Sequence, residues 1–145
     1  MDIRAYEPKD RDGCLAVFDS LEGPYFFTPE GREEFAAFLD RAESPYLVLE
    51  HDGRIVGCGG YHAEPGAMTA ALRWGMIARD AQRQGLGRYL LLYRMKEIGR
   101  VPGVQMVNLG ATAADVPFYE KFAFRAIQHG ESGLVTMRMK LQVCP

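Results

Sequence analysis

Residues Gln82 to Arg88 read Gln-Arg-Gln-Gly-Leu-Gly-Arg, and this stretch restricts the fold more than any other. The run Ala70 to Ala78 before it reads as a strand, and the run after it reads as a helix ending near Arg100. A glycine-bearing turn between a strand and a helix leaves several backbone N–H groups outside both hydrogen-bond ladders. Those donors, the positive end of the helix dipole and the side chains of Arg83 and Arg88 suit a diphosphate. Gly85 and Gly87 carry no Cβ, so the backbone can approach an anion closely.

Other phosphate-binding patterns fit less well. A Walker A loop needs lysine and then Ser or Thr after its second glycine, whereas Arg88 and Tyr89 follow Gly87. A dinucleotide fingerprint needs a third glycine at the position of Leu90 and an acidic residue about 20 residues on. The stretch Val104 to Gly110 holds no carboxylate. On these seven residues alone, a helix start with glycines for tight packing is the plainer alternative.

The chain has the size of one domain, residues 1–145, and 48% hydrophobic with 25% charged residues is the balance of an ordinary globular protein. No apolar run approaches the roughly 20 residues of a membrane helix. The first 15 residues are polar, unlike a signal peptide. Three cysteines, Cys14, Cys58 and Cys144, lack metal-ligand spacing and fit a reducing cytoplasm, and no metal is expected. Cys14 and Cys58 sit in apolar patterns, as small core residues do. A net charge of −2 argues against a nucleic-acid surface and leaves a cationic amine open as substrate. A cytoplasmic protein without membrane or nucleic-acid partners is the expectation.

The pattern predicts strands at Ile3–Tyr6, Tyr46–Glu50, Arg54–His62, Met68–Ala78, Val104–Leu109, Arg125–His129 and Leu134–Leu141. Asp52-Gly53 joins the second and third as a hairpin. Helices are predicted at Asp10–Leu21, with Asp10 as N-cap, and at Glu30–Ala42, opened by Thr28-Pro29. Two more span Leu86–Gly99, apolar on Leu91, Leu92, Met95 and Ile98, widened by Leu86, Leu90 and Tyr93 with Lys96 and Glu97 opposite, and Pro117–Phe122. The strand–helix–strand segment over 70–110 implies one parallel pair inside a mixed α/β (α+β) sheet.

A second motif turns these readings into a resemblance. Val116-Pro-Phe-Tyr-Glu-Lys-Phe-Ala-Phe124 looks like the short fourth helix of the GCN5-related N-acetyltransferase (GNAT) superfamily. Gln82, Gly85 and Gly87 match that family's Arg/Gln-x-x-Gly-x-Gly/Ala signature, and the separation of the motifs leaves room for one helix, one strand and a turn. The chain resembles the family from Ile3 to Leu141. The resemblance implies about seven mostly antiparallel strands, with a splayed parallel central pair, flanked by four helices. It implies an N-acetyltransferase that moves acetyl from acetyl-CoA to a primary amine, a small molecule or a peptide, by direct attack. It also admits a homodimer.

The resemblance further assigns residues. Pantetheine would pair with the fourth-strand edge at Gly75, Met76 and Ile77. The diphosphate would lie on Gln82, Arg83, Gln84, Gly85, Leu86, Gly87 and Arg88. The Ile77 N–H would face the oxyanion, and Tyr119 would protonate the leaving thiolate, a phenol near pKa ~10 being close to an alkyl thiol. Thr112 stands where many relatives place a cofactor-contacting asparagine. Ala123 replaces the glycine that ends the fourth helix in a left-handed cap. Neither central strand carries a carboxylate, so Glu64, His62, Glu22 and water all remain open as the base. The acceptor would meet the loop Leu21–Pro29, with Tyr25, Phe26 and Phe27, and the closing turn Gln128–Gly133. Alternatives are a transferase using another acyl-CoA, a non-catalytic acyl-CoA-binding or sensor module, and an interaction domain that binds no CoA.

Overall fold

The computed structural model describes residues 2–21, 27–41, 43–130 and 133–141. Its elements are β1 (Asp2–Ala5), α1 (Arg11–Asp19), α2 (Pro29–Arg41), β2 (Tyr46–His51), β3 (Arg54–His62) and β4 (Thr69–Ile77). They continue with α3 (Leu86–Gly99), β5 (Met106–Ala111), α4 (Val116–Glu120), β6 (Arg125–His129) and β7 (Val135–Lys140). The seven strands form one sheet in the order β1-β2-β3-β4-β5-β7-β6. The β4–β5 pair is parallel; β1–β2, β2–β3, β5–β7 and β6–β7 are antiparallel. This is the mixed sheet that the sequence predicts. The chain gathers into two compact units, Met1–Gly60 with Trp74–Arg94, and Tyr61–Arg73 with Met95–Pro145.

In the first unit the β2–β3 hairpin turns where expected. Asp52 and Gly53 both take left-handed φ, 51° and 77°, as a two-residue hairpin turn requires. α2 starts as its sequence suggests: Pro29 opens the first turn, and the Thr28 hydroxyl accepts the Gly31 N–H at 3.0 Å. Asp10 is a correction. It precedes α1 but makes no side-chain cap there. Its carboxylate instead accepts the Glu7 N–H at 2.9 Å and two hydrogen bonds from Arg4, at 2.7 and 2.8 Å. A bidentate guanidinium competes better for a buried carboxylate than a helix N–H does.

The core of this unit is aliphatic and aromatic. Cys14, Phe35, Val48, Leu49 and Cys58 are fully buried, and Phe18 stacks on Phe35 at 5.7 Å. The Cys58 hydrogen bond and burial push the Cys14 thiol up, which keeps it protonated and unreactive.

α3 has the expected bounds and buries most of the expected face: Leu90, Leu91 and Ile98 are buried, while Leu92, expected on the same stripe, is exposed. Arg94, a residue the pattern does not include, is buried among them.

In the second unit, Thr69, Ala70 and Ala71 of β4 pair with Met106, Val107 and Asn108 of β5. β5 begins two residues later than predicted because the N–H groups of Gln105 and Met106 both reach the Met68 carbonyl, and Val104 bonds back to Val101 in a turn. Val107, Leu109, Phe124, Val135 and Met137 are buried here, whereas β6 is exposed along its whole length at the sheet edge. α4 ends as a glycine-capped helix would, with alanine in place of glycine. Ala123 has φ 70°, its N–H bonds the Glu120 carbonyl at 3.3 Å, and Phe124 N–H bonds the Tyr119 carbonyl at 3.3 Å.

Two measurements follow from these local geometries. Arg4 holds the Asp10 carboxyl below its usual range, so its stabilising effect is complete above the unfolded pKa and is lost as pH falls through the folded one. Asp10→Asn should lower the melting temperature by roughly 5 °C at neutral pH. That gap should close as both proteins are melted at pH values descending below about 4. Ala123→Gly should raise unfolding free energy by about 1 kcal/mol in denaturant titration, because glycine relieves the left-handed strain.

Candidate functional site

The Gln82–Arg88 turn is built from both of its ends. β4 stops at Ile77, the Ala78 N–H bonds the Val56 carbonyl at 2.8 Å, and a 3-10 turn over Arg79–Ala81 follows. The Gln82 side-chain amide then donates to the Ile77 carbonyl at 3.1 Å. This bond ties the turn to the end of the strand, which gives Gln82 a bracing task. Arg83 and Gly85 take left-handed φ, 64° and 82°. The first helical bond of α3 runs from Tyr89 N–H to the Gly85 carbonyl at 3.0 Å. The N–H groups of Leu86, Gly87 and Arg88 therefore precede the helical ladder, at the positive end of a helix of 14 residues. Gln82, Arg83, Gln84, Gly85 and Arg88 are exposed, and a Cβ at Gly85 would meet no atom within 4 Å. The turn is open to a ligand, and Gly85 is needed for its backbone conformation rather than for space.

The β4 segment of the same unit is distorted just before that turn. Trp74 has φ 46° inside the strand. A left-handed bulky residue is a true outlier. Gly75 beyond it is exposed, Met76 is buried and Ile77 is intermediate. The structure thus places Gly75, Met76 and Ile77 on one continuous stretch with the turn, with the Gly75 backbone accessible. Aromatic rings crowd Trp74: Phe35 at 5.1 Å, Phe38 at 6.4 Å and Phe18 at 6.5 Å. Phe27 packs on Phe18 at 5.2 Å, so part of the predicted aromatic loop joins the core edge. Tyr25, Phe26 and Glu22 lie outside the described residues, as do Glu131, Ser132 and Cys144.

In the second unit, Thr112 and Tyr119 belong to one local frame. The Thr112 hydroxyl bonds Asp115 Oδ2 at 3.2 Å, and Asp115 N–H bonds the Thr112 carbonyl at 3.0 Å, a turn that starts α4. Tyr119 is half-buried, edge-on to Phe124 at 5.9 Å and to Phe118 at 5.1 Å. The left-handed Ala123 holds Phe124 under it, so the ring is positioned despite the missing glycine. His62 and Glu64 pair with each other at 3.2 Å on the surface, at the hairpin where β3 ends and β4 has not begun.

A separate cavity of about 500 Å³ in the first unit is lined by Arg4, Asp10, Glu50, Arg54, Ile55 and Ala78, among others. Its arginines are engaged, Arg4 with Asp10 and Glu50 and Arg54 with Asp80. Among the described residues no cluster of three or more His, Cys, Asp or Glu could hold a metal, and no helix is long and apolar enough to cross a membrane.

The family model for the Acetyltransferase (GNAT) family matches residues 15–124. Over 63 residues the chain is 40% identical to serotonin N-acetyltransferase of Mesocricetus auratus, covering 43% of this chain and 30% of that protein. The match thus spans less than a third of the curated relative. A GNAT-family protein of Desulfovibrio desulfuricans has a TM-score of 0.78 at 23% identity, with 96% of this chain and 98% of that one covered. The yncA protein of Salmonella typhimurium, solved with its cofactor acetyl-CoA, has a TM-score of 0.75 at 18% identity, with 100% and 96% covered. At such identities the solved structures speak for the fold alone. The family model spans well over half of the chain, and on that ground the chain belongs to the GNAT family of acetyltransferases.

Proposed function

We propose that this chain is an N-acetyltransferase that moves an acetyl group from acetyl-CoA to a primary amine by direct attack. One observation carries the reading: a kinked strand segment at Trp74–Ile77, exposed at Gly75, leads through one 3-10 turn into a left-handed turn whose backbone donors precede the α3 ladder. An acyl-CoA needs both features, a strand edge for the pantetheine amides and a donor-rich turn for the diphosphate. In this reading pantetheine pairs with Gly75, Met76 and Ile77. The diphosphate rests on residues 83–88, with Arg83 and Arg88 adding charge and Gln82 bracing the turn.

The chemistry balances with few groups. The neutral amine attacks the thioester carbonyl carbon, a C–N bond forms, and the Ile77 N–H stabilises the oxyanion. The C–S bond then breaks, and Tyr119 supplies the proton that the departing thiolate takes, regaining one from water. Thr112 frames the same end of α4 through Asp115. β4 and β5 contain no Asp, Glu or His, and His62 with Glu64 sits before β4 begins. Deprotonation of the amine is assigned to water, with Glu22, outside the described residues, as the alternative.

Calorimetric titration with acetyl-CoA tests the donor site. Micromolar binding that Gly87→Glu abolishes is expected, since a carboxylate would then occupy the diphosphate turn; no binding to the intact protein refutes the reading. Tyr119→Phe separates catalysis from mere binding. It should keep acetyl-CoA affinity within about threefold and lower turnover of a screened amine by about 100-fold or more. Unchanged turnover would remove Tyr119 from the acid role.

A further inference from the structure

Trp74 is the costliest backbone residue in the donor strand. A left-handed bulky residue of this kind is strained and persists only where its surroundings over-determine it. Two side chains do so here, both within the first unit. The Tyr46 hydroxyl on β2 donates to the Trp74 carbonyl at 2.8 Å. The Tyr46 ring is itself fixed, edge-on to Phe38 at 5.3 Å and to Tyr6 at 6.0 Å, and tilted against Phe35 at 6.1 Å.

The next residue is held by a cation. Arg94, 3% exposed, lies against Gly75, where a Cβ would meet Nη2 at 2.8 Å and Nη1 at 3.0 Å. Its Nη1 donates to the Gly60 carbonyl at 3.2 Å and its Nε to the Leu90 carbonyl at 3.4 Å. Gly60 closes the circuit, because a Cβ there would lie 2.6 Å from Tyr46 Cδ1. Tyr46, Trp74, Gly75, Arg94 and Gly60 thus form one ring of contacts around the kink.

We propose that Tyr46 and Arg94 are positioning residues that lock the Trp74–Gly75 kink and so hold the Gly75–Ile77 edge in register for the acyl donor. The proposal rests on the acetyl-CoA reading above for what the edge binds. The lock itself is a property of the unliganded strand. Burial raises the Tyr46 phenol well above its ordinary value, so the hydroxyl remains a donor throughout the neutral range. Neither residue touches the reacting atoms in this account. Each acts through the backbone of Trp74 and Gly75.

Tyr46→Phe removes the hydroxyl and keeps the ring. Two readouts decide the matter: amide hydrogen exchange at residues 75–77 without ligand, and calorimetric affinity for acetyl-CoA beside adenosine 3′,5′-bisphosphate, which reaches only the turn. Exchange at 75–77 should quicken at least tenfold. Acetyl-CoA should bind about 5–20-fold more weakly, with the bisphosphate unchanged. Arg94→Lys, which keeps the charge but loses the planar fork, should act in the same direction and serves if the first variant folds poorly. Exchange and acetyl-CoA affinity within twofold of wild type would overturn the proposal. So would equal weakening of both ligands, the mark of a general structural role. Wild-type protein that binds neither ligand would refute the donor reading, while the exchange rates still decide the lock.

Discussion

The first unit depends on how closely other groups approach the backbone of β3. A Cβ on Gly57 would lie 2.7 Å from Ile77 Cδ1 and 3.1 Å from the Met76 carbonyl. One on Gly59 would lie 3.1 Å from Leu90 and 3.2 Å from the Arg94 guanidinium, and one on Gly60 would lie 2.5 Å from the Pro45 carbonyl. At Gly60 the conflict is with backbone, which cannot give way in a close-packed interior; at Gly57 the nearest atom is the end of the Ile77 side chain, and at Gly59 the neighbours would have to shift by a few tenths of an ångström. β3 is therefore the plane on which β4, α3 and β2 set their heights. Glycine weakens a strand taken alone, yet here the missing side chains let β4 and a buried guanidinium pack close against β3.

Backbone strain falls on the segments to which the proposed function assigns roles. Besides the hairpin residue Asp52, the left-handed residues other than glycine among the described residues are Trp74 in β4, Arg83 in the Gln82–Arg88 turn and Ala123 behind Tyr119. Each has an identifiable restraint nearby. Tyr46 bonds the Trp74 carbonyl, Gln82 ties the Arg83 turn to Ile77, and the Phe124 N–H bonds back to Tyr119 across Ala123. Local strain is kept because neighbouring contacts leave no better conformation, and the gain is a backbone aimed in a direction that regular structure would not give.

Much of this was legible from residue order. The bounds of α3 matched because a glycine turn and an apolar period mark its start without ambiguity, and Asp52-Gly53 has few alternatives to a tight hairpin. The misses share one cause, a local signal overruled by a partner distant in sequence. Asp10 looks like a cap until Arg4 claims its carboxylate. Val104 looks like strand until the Met68 carbonyl takes the two N–H groups that follow it. Most of the apolar face of α3 reads correctly, but Arg94 falls outside that reading because an arginine on a helix is ordinarily solvated. A signal for the buried one existed: Gly59, Gly60 and Gly75 open a space that only a long side chain would fill. The role of Tyr46 had no such trace, since its bond to Trp74 spans 28 residues and depends on a left-handed φ that no propensity scale assigns to tryptophan.

The presence of Arg94 at a core position needs a physical reason, because desolvating a guanidinium is costly and a buried ion is weak evidence for stability. A leucine at 94 would continue the Leu90 and Ile98 stripe and bury apolar surface without that cost. It would also leave the Gly60 carbonyl without the donor it now has, and it would fill the space against Gly75 with a methyl group free to change rotamer. The guanidinium is planar, carries five donors in fixed directions, and here bonds carbonyls on two different elements, β3 and α3. It works as a rigid spacer whose thickness is set by hydrogen-bond lengths. In the proposed role, a strand that holds a thioester carbonyl to within about half an ångström of its productive position has more use for such a spacer than for the last increment of hydrophobic stability.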